Sequence, residues 1–375
     1  MTVKNKFSSP LWSDSSMASN AFKEIKKLVL QIYAKTGETI NFMEVCGTHT
    51  MAIAASGMRK FFPKELKMLS GPGCPVCVTS QGDIDRILEI AGIKDVIITT
   101  FGDMMRVKGS LGKDLHSMRE TGADIRVLYS PLDALTIASQ NKDKKIVFIG
   151  VGFETTSPII AQTVFHSQKR KINNFFITPL FKLVPPALKA VLPANHKISG
   201  FILPGHVSVI IGSKAYDFVV KKHKVPCVVA GFEPMDIIGG INMLLLQILH
   251  KVPKVETEYF RAVKMDGNKS AQAIMKKVLK VATAEWRAIG SIEKSGLVLS
   301  DAFKRFDAFK HFKIKHYLSK EPKGCICGKI IMGQALPTDC KFFGNKCTPS
   351  DAIGPCMVSS EGACAAWFKY GGQRG

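Results

Sequence analysis

The chain has 375 residues, 46% of them hydrophobic, which is enough for two or three compact domains with a substantial core. It contains no run of eighteen apolar residues, and its opening stretch, MTVKNKFSSPLWSDSS, lacks the basic, apolar, small-residue order of a secretory signal, so a soluble, cytoplasmic protein with no membrane role is expected. The formal charge of +22, from 52 Lys and Arg against 30 Asp and Glu, attracts polyanions, but the lysines lie in short clusters such as KKHK (221–224) and KDKK (142–145) without any nucleic-acid-reading motif; this favours a solvated surface, or one facing an acidic partner protein, over specific nucleic-acid binding.

From about residue 36 to residue 250, short apolar runs alternate with Gly- or Pro-bearing turns and helical stretches. The runs are INFMEV, LKMLS, VIITTF, DIRVLY, KIVFIGV, FFITPL, ISGFILP and VPCVVA. Continuous apolar strands between helices predict an α/β fold with parallel sheets covered on both faces, and ligand groups at the carboxyl ends of the strands. Two α/β domains are expected, residues 36–140 and 141–254. KIVFIGVGFETTSPIIA and VPCVVAGFEPMDIIGGI echo each other as strand, Gly-Phe-Glu and helix start, which puts Glu154 and Glu233 in equivalent places; a match this short also arises by chance. Beyond Lys254, AQAIMKKVLKVATAEW spaces Ile274, Val278 and Val281 as a helix. The Gly- and Cys-rich tail that follows has little apolar patterning, as in segments that fold around a metal.

Ten cysteines in a reducing compartment point to metal or redox work before a disulfide framework, although Cys227 in VPCVVA reads as a buried small hydrophobe. Cys46-Gly-Thr-His49 follows the first strand, where thiol and imidazole can converge on a soft or borderline metal. A helix starting there would lower the Cys46 pKa; the plain alternative is a capping Thr48 beside an incidental Cys and His. Gly71-Pro-Gly-Cys74-Pro-Val-Cys77 presents a Cys-x-x-Cys in a rigid loop. Redox exchange is favoured there over a zinc knuckle, because a zinc ribbon needs a second pair and the next cysteine is Cys227. Gly152-Phe-Glu154-Thr-Thr156, Pro204-Gly-His206-Val-Ser208 and Gly231-Phe-Glu233-Pro are strand-end loops whose groups can transfer protons or hold an anion, or can simply form helix caps and turns. No Walker sequence supports a nucleotide. The tail holds Cys325, Cys327, Cys340, Cys347, Cys356 and Cys364 and contains the spacing C-x14-C-x6-C-x16-C (Cys325, Cys340, Cys347, Cys364); one four-cysteine site, iron-sulfur or zinc, is expected, and spacing alone leaves open which four of the six hold it.

Taken together, CGTH, GPGCPVC, GFETT, PGHVS, GFEP and the tail cysteines resemble the HypD family of [NiFe]-hydrogenase maturation proteins over nearly the whole chain. The resemblance implies a redox-active scaffold, not a conventional turnover enzyme, on which the Fe(CN)2(CO) group is assembled with a HypC-type chaperone in stable complex and a HypE-type cyanide donor in transient contact. It further implies that Cys46 anchors the transient iron with help from His49, that Cys74 and Cys77 form a switchable dithiol, and that Cys325, Cys340, Cys347 and Cys364 hold a [4Fe-4S] cluster. Its fold is two Rossmann-like α/β domains facing a cleft, plus a mainly helical or irregular cluster domain built from residues 1–35 and 255–375. Glu154, His206 and Glu233 are expected to face that cleft and move protons. An iron-sulfur-dependent thiol-disulfide reductase acting on a client protein is the alternative, and it leaves Cys46 and His49 without a task.

Overall fold

The computed structural model describes residues 15–287, 289–317 and 321–371. Eleven strands occur among them: β1 Ile40–Glu44, β2 Leu66–Ser70, β3 Val96–Thr100, β4 Asp124–Val127, β5 Lys145–Gly152, β6 Phe175–Lys182, β7 Gly200–Pro204, β8 Cys227–Ala230, β9 Val255–Thr257, β10 Leu279–Trp286 and β11 Gly290–Leu299. Each of the eight expected apolar runs carries one of the first eight. The helices that frame the site are α1 Ser15–Thr36, α2 Gly47–Ala55, α3 Pro75–Val78, α4 Ser157–Lys169, α5 Val184–Ala194, α6 Gly205–Ile211, α7 Pro234–His250, α8 Lys269–Val278, α9 Pro355–Val358 and α10 Ala363–Tyr370. Among the described residues no helix is long and apolar enough to cross a membrane.

The expected α/β class, with two Rossmann-like layers, is what the chain forms. The first sheet runs β2-β1-β7-β8-β9 and is parallel throughout. The second runs β10-β11-β6-β5-β3-β4; β6, β5, β3 and β4 are parallel, and β11 and β10 add an antiparallel edge. The strand order corrects the expected division at residue 140. After β2 the chain crosses to the second sheet, lays down β3 to β6, and returns to the first for β7 to β9. Apolar runs carry no label for the sheet they join, because pairing is a contact between distant segments.

The expected third domain is corrected too. Residues 1–14 lie outside the described residues, but Ile25, Leu28, Val29 and Ile32 of α1 pack with Ile237, Ile241 and Leu244 of α7 over the first sheet, away from the tail. Their spacing of three and four residues makes one apolar stripe on α1. β9 joins the first sheet, and β10 and β11 join the second. The helix expected to reach Val281 ends at Val278, where the Val- and Thr-bearing stretch 279–286 pairs antiparallel with β11. A shared core joins Met43 and Phe201 of the first sheet, Val147 and Ile149 of the second, and Cys356 and Met357 of the tail. The tail therefore packs between the two layers.

Candidate functional site

In the first sheet the chain runs from β1 to β2 on one side and continues from β7 on the other, so the order reverses between β1 and β7. The crevice at such a reversal, beyond the carboxyl ends, is where open α/β sheets hold ligands. Cys46 leaves β1 there, His206 leaves β7, Gly71 to Cys77 follows β2, and Phe232 follows β8.

Two of these loops touch through their backbones. Gly47 N–H donates to Gly73 O at 3.1 Å, and a Cβ on Gly73 would stand 2.3 Å from the Cys46 amide nitrogen. Only a residue without a side chain allows that approach. Cys46 is the N-cap of α2. Its expected low pKa is corrected: burial, with the Glu361 carboxylate beside it, pushes the thiol up to about 12, although backbone donors at Thr48 and His49 pull the other way. The helix start acts as anticipated but is outweighed by desolvation.

His49 is fully buried, and burial lowers its pKa to about 4, so the ring is neutral near pH 7. Its Nε2 lies 2.8 Å from Gly231 O. A carbonyl accepts only, so Nε2 carries the proton and Nδ1 the lone pair. Nδ1 is buried without a hydrogen-bond partner. Phe232 stacks on His49 at 4.7 Å and on His206 at 3.9 Å between ring centroids, which ties three motifs together.

The other two expected proton carriers lie elsewhere. Glu154 follows β5 of the second sheet and is 2% exposed; its carboxyl accepts the Val184 N–H at the start of α5, at 3.0 and 3.2 Å. Burial pushes its pKa up to about 8. Glu233 is exposed at the start of α7, where its own N–H donates to Asp236 Oδ2 at 3.3 Å, a capping arrangement. The Gly-Phe-Glu echo thus places one glutamate inside and the other in water.

Cys74 and Cys77 are not joined in a disulfide; Cys77 N–H donates to Cys74 Sγ at 3.2 Å across the first turn of α3. The Cys74 thiol donates to Ser359 Oγ at 3.3 Å, and the Ser359 and Ser360 hydroxyls donate to Asp103 Oδ2 at 3.1 and 2.9 Å. Thr48 donates to Glu361 Oε1 at 2.7 Å. The segment 359–361 thus links the dithiol to Cys46. Sequence reasoning missed Ser359 and Glu361, because nothing in SSEG announces a site some 300 positions upstream.

Cys327 and Cys356 sit between the others. Cys356 makes side-chain contact with Cys77 on one side and Cys327 on the other, and these contacts pull its pKa down to about 6. Cys77 is pushed well up by burial and by the same contact with Cys356. The Cys325 thiol donates to Cys327 Sγ at 3.2 Å, and Cys364 also contacts Cys327. Cys325, Cys327, Cys340, Cys347 and Cys364 line one small apolar cavity of about 10 Å³. A Cβ on Gly354 would stand 2.6 Å from Cys327 Sγ and 2.8 Å from Cys325 Sγ. Among the described residues no three such ligands converge as they would on a single ion; the thiols ring a cavity instead. Thiol donors in an apolar, water-poor lining fit an iron-sulfur cluster.

Comparison with known proteins gives one family over nearly the whole chain. The HypD family model, described as "Hydrogenase formation hypA family", matches residues 17–371. A putative hydrogenase expression/formation protein of Methanocaldococcus jannaschii is 41% identical over 358 residues, 96% of this chain and 98% of the relative. The hydrogenase maturation factors HypD of Cupriavidus necator and Escherichia coli are 42% and 43% identical, covering 90% and 88% of this chain and 91% and 89% of their own lengths.

Proposed function

The chain belongs to the HypD family, whose role is hydrogenase maturation, and we propose that it is the redox-active scaffold on which the Fe(CN)2(CO) group of a [NiFe] centre is assembled. A HypC-type chaperone shares the iron, and a HypE-type donor brings cyanide. The observation that carries this reading is the backbone contact of Gly73 with Cys46, which sets a dithiol loop against a thiol and a neutral imidazole with a vacant lone pair.

The incoming iron is cargo. It replaces the proton on Cys46, as metals do on thiols, and the Glu361 carboxylate beside that thiol accepts the proton. His49 Nδ1 offers a second donor, held in the correct tautomer by Gly231 O. The sulfur contacts allow exchange without diffusion. When Cys74 and Cys77 are oxidised, the Cys356 thiolate attacks Cys77 Sγ; the Cys77–Cys356 bond forms, and Cys74 leaves as a thiolate and takes a proton through Ser359. Attack by Cys327 on Cys356 then frees Cys77, so the first pair is reduced and the pair Cys327–Cys356 is oxidised. A [4Fe-4S] cluster on Cys325, Cys340, Cys347 and Cys364 would supply single electrons beside that pair.

Burial argues against the client-reductase reading. Cys74 is 6% and Cys77 1% exposed, which leaves no attacking thiol for a foreign disulfide. The test is infrared spectroscopy of the chain purified with its small partner. Cyanide and carbonyl stretches lost in Cys46→Ala support the scaffold; bands retained in that variant overturn it.

A further inference from the structure

The first sheet ends on β2, which pairs on one side only, with β1. In a parallel ladder a residue turns its N–H and C=O to the same side, alternating along the strand. Ile40 N–H donates to Glu65 O and Gly71 N–H to Glu44 O, both at 2.8 Å, so Lys67 and Leu69 face β1 while Leu66, Met68 and Ser70 turn outward. Pro63 O takes the Leu66 N–H at 2.9 Å, leaving Met68 and Ser70 to present the free edge.

That edge borders a cavity of about 730 Å³ between the sheet and the tail. Leu66 to Leu69 form one wall, and Leu336 and Trp367 stand among the residues opposite. Arg59, Lys67, Lys197 and His196 also line it. Asp339 is the single acid among the described lining residues, and its Oδ2 already accepts the Leu336 N–H at 2.8 Å. Arg59 is held 4.7 Å over the Trp367 ring with its Nε buried and unpartnered, 3.5 Å from Glu44 at its far end. A lysine on an edge strand often serves to block pairing. Lys67 instead stands with three other basic groups around an open groove.

We propose that an extended acidic segment of a partner protein adds to β2 as a further strand in this groove. Its backbone pairs with Met68 and Ser70, its carboxylates meet Lys67, Lys197 and Arg59, and its alternate apolar side chains lie against Leu66, Met68 and Trp367. The basic excess of the lining, Lys67 and Lys197 beyond the Arg59–Glu44 pair and against one engaged acid, selects an acidic occupant.

The test uses the full chain and two fluorescein-labelled hexapeptides, one alternating Glu and Val, the other Lys and Val. The expected result is saturable anisotropy with the Glu peptide only, slowed amide exchange across residues 66–70 when it is bound, and affinity about tenfold weaker in Lys67→Glu. Lys67 is exposed, so the fold survives its reversal; circular dichroism checks this. Equal binding of both peptides, binding without slowed exchange at 66–70, or no binding at millimolar peptide overturns the proposal. Concentration-dependent dimers that slow the same amides without peptide would give the edge to a second copy, and overturn it as well.

Discussion

Gly73 rests directly against Cys46: a methyl group in place of its hydrogen would come within 2.5 Å of the Cys46 Cα. The dithiol loop and the Cys46 thiol are therefore positioned by one contact that tolerates no side chain.

Gly73→Ala is expected to push the Cys-Pro-Val-Cys loop off the Cys46 backbone. Overpacking of this kind costs about 1–3 kcal/mol, a loss that a domain of this size survives. Hydrogenase maturation in a complemented strain should fall tenfold or more while thermal unfolding shows a folded protein. Normal maturation with a lowered Tm would mean that the contact serves stability alone.

Glu361→Gln removes the negative charge beside Cys46, a secondary cause of its raised pKa after burial. Losing that charge favours the thiolate, so the Cys46 pKa falls while staying above the ordinary thiol value. Iodoacetamide alkylation of Cys46 at pH 8.5, followed by mass spectrometry, should be several-fold faster in the variant. An unchanged rate would show that Glu361 does not act on this thiol.

The buried Glu154 carboxyl has a folded pKa of about 8 against an ordinary 4.5. A raised folded pKa contributes stability fully below about pH 4.5 and loses it as pH rises through 8. The loss amounts to on the order of 4 kcal/mol for a shift of this size. Glu154→Gln should therefore match the parent near pH 4.5 and exceed it at pH 9 in urea midpoint. Parallel pH curves for the two proteins would place the ionised carboxylate in a solvated setting.

The proposed division of the thiols is separated by iron content. Cys340→Ser and Cys347→Ser should lose iron and acid-labile sulfide after anaerobic purification, while Cys327→Ser and Cys356→Ser keep both. In Cys356→Ser the Cys74–Cys77 disulfide, once formed with an oxidant, should resist reduction by dithionite in the loaded protein. Rapid reduction there would remove Cys356 from the exchange path.

Much of the molecule was legible from local pattern. Eight strands sit on the eight apolar runs, because continuous β-branched and aromatic stretches between Gly and Pro turns have few other stable forms. Cys46, Cys74 and His206 were readable as strand-end groups for the same reason. The division at residue 140 failed because the chain changes sheets twice, and Val281 was misassigned because apolar spacing carries no sign of the distant partner β11 that pairs with 279–286. Glu233 and Glu154 share a tripeptide, and only packing separates an exposed cap from a buried acid.

The residue types and spacings by themselves determined the α/β class and the two groups of thiols, since each follows from neighbours along the chain. Tertiary structure alone decided that Cys356 bridges Cys77 and Cys327, that Glu361 stands beside Cys46, and that this thiol is protonated where a helix start would have ionised it. Those outcomes depend on desolvation and on contacts between segments some 300 residues apart, and both come into being only when the tail is packed between the two sheets.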